Sequence, residues 1–311
     1  MARAASSGTA PGEGAPLPPG VPPRPEELAP FRATVLARGR ELYRDLPWRR
    51  TRDPYAIWIS EVMLQQTQVS RVDGRWQRWL GLFPTVDALA AAGSADVLEE
   101  WQGLGYNRRA LSLWRAAQEV SAAGGHMPSD EAALRALPGV GPATAAGIRA
   151  FAFDLPGVYL ETNVRTVLLH ELFAHEEAVS DARLVPIVRA ACPPDDSDPT
   201  DDPRTWYYAL LDYGAHLKAT VPNPSRRSRS HVRQSRFEGS HRQKRAAVLR
   251  ILLAHRADPQ GGVDLGALCV ELSREERSAG RRDMDVSDAQ ALLDELSREG
   301  FCHNNGNIWC A

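Results

Sequence analysis

The chain has 311 residues, 43% of them hydrophobic and 24% charged, with a formal net charge of -2. That length allows two or three domains with a sizeable core, and the proportions are those of a soluble globular protein. No apolar run reaches membrane-spanning length, and the N-terminus lacks the apolar stretch of a signal peptide, so a cytoplasmic protein is expected.

Residues 1–25 are mostly Ala, Gly, Pro and Ser and are expected to form a disordered tail, since they bury too little apolar surface to order themselves. Residues 26–46 read as an amphipathic helix with Leu28, Phe31, Val35, Leu36 and Leu42 on its apolar side, ended by Leu46-Pro47-Trp48. Asp53-Pro54 then starts a second helix: the carboxylate caps free amides and proline fits the first helical position. This helix is strongly apolar, yet it carries Glu61, with Ile57, Trp58 and Leu64 within one turn. An embedded carboxyl must pair, face a cavity or hold its proton. Gln65, Gln66 and Thr67 are expected in the next helical turn, where their side chains suit a pocket for a polar, planar ligand. A solvated or ion-paired acid is the plainer alternative.

Val69–Phe83, Thr85–Ala92 and Ala95–Gln102 read as further helices. Gly103-Leu104-Gly105-Tyr106 is a glycine-flanked turn into a helix reaching about Ala122, with the Tyr106 ring presented at the turn. Leu137-Pro138-Gly139-Val140-Gly141 forms a tight hairpin, and Pro142 opens a helix of small residues whose free amides suit one phosphate.

Residues 194–202 form an acidic, proline-broken loop, whereas 218–250 carry ten lysines and arginines against one acid, Glu238. The near-neutral total thus hides a basic stripe able to meet phosphates, unless the stripe is only a solvated linker. Gln243–His255, Asp264–Glu276 and Asp285–Glu299 read as three helices, and Phe301–Cys310 as a hairpin turning at Asn304-Asn305-Gly306. Such a set suggests a winged-helix module for binding DNA or docking protein. Cys192, Cys269, Cys302 and Cys310 are scattered, which argues for reduced thiols and against a zinc or cluster framework.

Several stretches together resemble the MutY family of adenine DNA glycosylases within the helix-hairpin-helix superfamily. They are Leu46-Pro47-Trp48, Asp53-Pro54-Tyr55, Ser60 through Val69, Phe83-Pro84-Thr85-Val86, Trp101 through Tyr106, Leu137 through Gly141, Glu161 through Arg165 and Leu211 through Ala215. The resemblance covers roughly residues 28–220. It implies a mainly α, two-lobed glycosylase fold that binds duplex DNA and receives a flipped base. The domain plan expected is a tail (1–25), the glycosylase region (26–220), a basic linker (221–242) and a winged-helix-like domain (243–311).

By the resemblance Glu61 is the general acid that protonates the purine, Glu161 stabilises the oxocarbenium sugar, and Asn163 orients the acid or a water. Gln66, Thr67 and Tyr106 wedge into the duplex or contact the opposite base, with Gln65 beside them. Gly139, Val140 and Gly141 clamp a phosphate, and a monovalent cation at hairpin 137–141 is an expectation. Ala143 stands where bifunctional relatives have a lysine nucleophile, so a monofunctional enzyme is implied.

Three features depart from the family. Glu161 replaces its aspartate. The C-terminal part is too short for its Nudix-like domain. The four-cysteine iron–sulfur loop is replaced by a cysteine-free segment whose Arg226, Arg227 and Arg229 are expected to meet DNA. The function expected is excision of adenine opposite 8-oxoguanine or guanine by a monomer without an iron–sulfur cluster. Excision of another purine lesion, or non-catalytic sensing of DNA structure, are the alternatives.

Overall fold

A computed structural model describes residues 23–194, 198, 200–231 and 235–311. The expected tail lies outside these residues except for 23–25, as do part of the acidic loop and Arg233 of the basic stripe. The fold is mainly helical. In chain order its elements are α1 (Ala29–Glu41), α2 (Pro54–Leu64), α3 (Val69–Val72), α4 (Arg75–Leu82), α5 (Val86–Ala91), α6 (Ser94–Trp101) and α7 (Arg108–Ala122). Then follow α8 (Glu131–Ala136), α9 (Pro142–Phe153), α10 (Thr162–Glu171), α11 (Asp181–Ala191), α12 (Pro203–Thr220) and α13 (His241–Ala254). β1 (Val263–Asp264), α14 (Leu265–Ser278), α15 (Val286–Glu299), β2 (His303–Asn305) and β3 (Ile308–Cys310) complete the chain. No helix among the described residues is long and apolar enough to cross a membrane.

The described residues form two compact units, one within Met1–Glu61, Pro128–Ala136 and Val140–Arg233, the other within Val62–Met127, Leu137–Gly139 and Gln234–Ala311. The first unit is held by α1, α9, α10, α11 and α12 around a core that includes Phe31, Phe151, Val167, Leu168, Trp206 and Tyr207. Aromatic side chains lock that core: Phe31 meets Trp206 edge-on at 5.9 Å, and Phe151 stacks on Tyr208 at 4.5 Å. Beside it, Arg49 forms a fully buried bidentate pair with Asp212 at 2.7 and 2.8 Å, and its guanidinium lies over Tyr208 at 4.3 Å. Breaking such a pair strands a charge, which costs about 3–5 kcal/mol.

In the second unit Trp79, Trp101 and Phe83 form the centre of the α4–α7 cluster, the two indoles edge-on at 5.5 Å. Its C-terminal part packs Val248, Leu252, Leu268, Leu272, Leu292 and Leu293 of α13, α14 and α15 inward. The small antiparallel sheet has order β1-β3-β2, with Trp309 opposite both Val263 and Asn304.

Three sequence expectations need correction here. The helix expected over Val69–Phe83 is two helices, because Gly74 turns the chain at φ 79° after Asp73. The first long helix begins only at Ala29, after a 3-10 turn at Pro25–Leu28, and ends at Glu41. The C-terminal hairpin is the larger part of a three-stranded sheet. Its third strand, two residues long, is too short to show an alternating pattern.

Candidate functional site

Helix α2 begins as its sequence requires: the Asp53 carboxylate accepts from the amides of Tyr55 (3.1 Å) and Ala56 (3.4 Å). Every residue from Tyr55 to Met63 is buried except Glu61, which is half-buried. A helix apolar on all sides is a core helix, so Glu61 is carried into the interior by its neighbours. There its Oε2 accepts a 2.9 Å hydrogen bond from the buried Tyr159 hydroxyl. Burial pushes the Glu61 pKa up to about 8; the Tyr159 hydroxyl opposes this and the charge of Glu161 adds to it. The carboxyl therefore carries its proton at neutral pH, as a general acid must.

Room for this pair comes from α9. A Cβ on Gly147 would lie 2.3 Å from Glu61 Oε2 and 2.8 Å from the Tyr159 ring, so any side chain there would push both aside. The small-residue character of the helix after Pro142 thus serves the acid directly. Neither Tyr159 nor Gly147 was singled out from the sequence. The signal for Gly147 was the small-residue run itself, whereas Tyr159 sits in a loop with no periodicity to mark it.

Glu161 is the N-cap of α10 and accepts from the amides of Asn163 (2.6 Å) and Val164 (3.1 Å). Its pKa is raised by burial, against the pull of the Val164 and Asn163 amides, the charge of Lys218 and the Thr162 amide. A carboxylate fixed by helix-start amides is oriented without needing a counter-ion. The Asn163 side-chain oxygen accepts from Lys218 Nζ at 3.1 Å. Glu161 and Asn163, two residues apart, and Glu61, far from them in sequence, thus belong to one polar cluster in the first unit.

A second cluster lies in the other unit. Helix α2 ends at Leu64, so Gln65, Gln66 and Thr67 are not a further helical turn, as the sequence suggested, but a loop. Gln66 has φ 55° and Tyr106, in the Gly103–Tyr106 turn, has φ 50°. Non-glycine residues rarely adopt this left-handed conformation, and it persists only where the surroundings enforce it. Arg109 enforces it here. Its guanidinium donates to the carbonyls of Val62 (2.8 Å), Met63 (3.1 Å) and Gln65 (2.6 Å). It also donates to Thr67 Oγ1 (3.1 Å), Leu104 O (3.2 Å) and Gly105 O (2.9 Å). Burial lowers its pKa to about 10, which leaves it charged. Gln66 and Tyr106 remain exposed. They border a cavity of about 740 Å³ with Arg242, Arg245, Glu299 and Phe301, and Arg242 donates to the Tyr106 hydroxyl at 3.1 Å. No sequence pattern marks Arg109, since one arginine at a helix start carries none.

At the hairpin Gly139 has φ 77°, Gly139 and Gly141 are exposed, and Val140 is buried as an anchor.

The basic segment after α12 departs from expectation. Pro224–Arg227 is a 3-10 turn with Pro224, Ser225 and Ser228 buried. Arg227 does not face outward. Its guanidinium donates to the carbonyl of Leu169 in the last turn of α10 and to those of Phe173 and Ala174 just beyond it, so it acts as a cap. Arg226 and Arg229 are exposed. The segment therefore lies at the opposite end of α10 from Glu161.

The residues present do not fit an iron–sulfur cluster. Cys269 and Cys302 are buried, with their thiols directed at the carbonyls of Met284 and Leu293; burial pushes the Cys302 thiol up to about 12. Cys192 ends α11 in the other unit, its thiol also raised by burial, and Cys310 lies in β3. A cluster needs convergent thiolates, and no group of three or more metal-binding side chains exists among the described residues.

Residues 59–194 match the model of the HhH-GPD superfamily of base excision DNA repair proteins. The chain is 36% identical to the adenine DNA glycosylase of Mycolicibacterium smegmatis over 226 residues, which is 67% of this chain and 75% of that protein. To the human adenine DNA glycosylase it is 41% identical over 152 residues, 46% of this chain and 28% of that one. The solved structure of a thermostable thymine-DNA glycosylase superposes with a TM-score of 0.53 at 24% identity, over 62% of this chain and 88% of its own, a likeness of fold.

Proposed function

The chain belongs to the adenine DNA glycosylase family, and from that membership and the acid cluster we propose that it is a monofunctional DNA N-glycosylase of base excision repair, removing adenine from duplex DNA. The observation that carries the reading is Glu61, a carboxyl that keeps its proton up to about pH 8 against Tyr159 and near Glu161, the carboxyl that caps α10. Glu61 donates a proton to a ring nitrogen of the flipped adenine, so the base leaves as a neutral molecule. Glu161, as carboxylate, stabilises the positive sugar left behind, and Asn163 orients the acid or the attacking water. Ala143 offers no amine after the hairpin, so water completes the reaction and an intact abasic site remains.

In this reading Gln65, Gln66, Thr67 and Tyr106 engage the duplex, and Gly139, Val140 and Gly141 take a phosphate. Among the segment's arginines, the exposed Arg226 and Arg229 remain to meet the backbone. Residues 243–311 follow the element order of a winged helix: helix, strand, two helices, two strands. With Arg242 and Arg245 bordering the same cavity as Gln66 and Tyr106, this module is the reader of the opposite strand, where 8-oxoguanine or guanine is the favoured partner of the excised adenine. No cluster takes part, and the protein acts as a monomer.

The test is excision from duplexes carrying defined pairs. Release of adenine opposite 8-oxoguanine or guanine, leaving a site cut only by added alkali or heat, is expected. Release of a different purine alone would assign the acid pair to another lesion. No release from any duplex that is tightly bound would leave a DNA-structure sensor.

A further inference from the structure

We propose that Lys218 is a positioning residue, which orients Asn163 and supplies the positive charge that faces Glu161. The proposal rests on the glycosylase reading above for its catalytic meaning, but its physical basis is independent of it. The chain has only two lysines, Lys218 and Lys244, among its 37 lysines and arginines, so a lysine at this point is unusual for this protein.

The geometry begins with the contact between α10 and α12. A Cβ on Gly214 would lie 2.3 Å from the Asn163 carbonyl oxygen and 2.7 Å from Asn163 Cβ, so α12 rests directly on the start of α10. Four residues on, one helical turn along the same face, is Lys218. Its ammonium therefore arrives at the Asn163 side chain, to whose oxygen it donates at 3.1 Å. That bond fixes which way the Asn163 amide points: the oxygen is occupied, and the amide N–H groups are left to face a carboxyl or a water.

Electrostatics give the lysine its second role. The charge of Glu161 raises the pKa of both Glu61 of α2 and the Tyr159 hydroxyl, and on Glu161 itself the charged side chain that acts is Lys218 of α12. Other charged groups nearby are already committed. Arg165 of α10 is paired with Asp181, Asp212 of α12 with Arg44 and Arg49, and Arg149 of α9 donates to the carbonyls of Ser129 and Pro156. Burial raises the Glu161 pKa, and Lys218 together with the helix-start amides opposes that rise. Stabilising a sugar cation requires the ionised form, so the lysine keeps Glu161 competent as pH falls. A glutamate, one methylene longer than aspartate, also has an added torsion to restrain, and a fixed Asn163 beside it restricts where the carboxylate can go.

The experiment follows the Glu161 carboxyl by carbon NMR in the full-length protein labelled at glutamate, assigned with Glu161→Gln, in wild type, Lys218→Met and Lys218→Arg. Lys218→Met is expected to raise the Glu161 midpoint by about half to one pH unit, less than a buried opposite charge would give because Lys218 is exposed. Lys218→Arg, which keeps the charge, is expected to hold it near wild type. In parallel, the acid limb of kcat/KM for adenine excision should move upward with Lys218→Met and its alkaline limb should not. An unchanged Glu161 midpoint in Lys218→Met, or a rate lowered equally at every pH, overturns the proposal. A shifted midpoint in a protein that excises no adenine upholds the lysine's role and instead removes the glycosylase reading.

Discussion

The two units use buried polar groups for opposite ends. In the first, Glu61 is surrounded by apolar helix and one tyrosine hydroxyl, and the result is a carboxyl whose proton is held and whose position is fixed by packing. In the second, the buried side of Arg109 gathers backbone carbonyls from two loops, and the result is that Gln66 and Tyr106 stand exposed in strained conformations. On the proposed reading, proton transfer is served by desolvation, whereas gripping a duplex is served by rigid presentation to solvent. The chain separates these needs: one interior tunes a pKa and the other stiffens a surface.

The sharpest way to break this comparison is Glu61→Gln. Loss of a general acid typically costs about 10²–10⁴-fold, so single-turnover excision should fall by that much while duplex affinity stays within a few-fold. Near-normal excision would remove Glu61 from the chemistry and leave its burial a structural accident.

Arg109→Met probes the other side. Six acceptors lose a charged donor, and a loss of about 2–4 kcal/mol in unfolding free energy is expected. Affinity for DNA should weaken together with it, because Gln66 and Tyr106 would relax to ordinary backbone conformations. Denaturant titration and binding isotherms read the two effects. Weakened stability with untouched affinity would mean that the loops need no rigid frame.

The pH dependence separates the two units again. As the proposed proton donor Glu61 acts when protonated, so its active fraction is nearly full below its pKa and falls as pH rises through about 8. The kcat/KM for excision should therefore drop about tenfold per unit above that point, whereas DNA binding should not follow the same curve. An excision rate flat to pH 10 would contradict a proton-donating role.

Smaller effects are expected in the basic segment. Replacing Arg226 and Arg229 with Ala should flatten the slope of log binding constant against log salt by about 2, alike for all duplexes. Arg227→Ala should instead lower the melting temperature with little change in slope, since that side chain caps carbonyls at and just beyond the end of α10. Equal behaviour of all three arginines would return Arg227 to the DNA-facing set. Smallest of all, iron chelators should leave activity unchanged and the purified protein should be colourless. A stoichiometric cluster would demand ligands that these cysteines do not provide.

Much of this molecule was legible in its residues, and for identifiable reasons. The cap at Asp53, the all-apolar α2 around a single acid and the Pro-Gly-Val-Gly hairpin depend on local rules of capping, burial and backbone freedom, which act within a few residues. The three C-terminal helices showed themselves by periodicity. What required tertiary structure was every relation between distant segments. Tyr159 meets Glu61 only because Gly147, on a third element, leaves the space. Arg227 looked like its neighbours in a basic run, and only the carbonyls at the end of α10 and just beyond it make it a cap. Lys218 reaches Asn163 because Gly214 lets two helices touch. Sequence specifies what each side chain can do and the local path of its backbone. Which acceptor it meets, and how far from water, depends on packing between elements that no local pattern encodes.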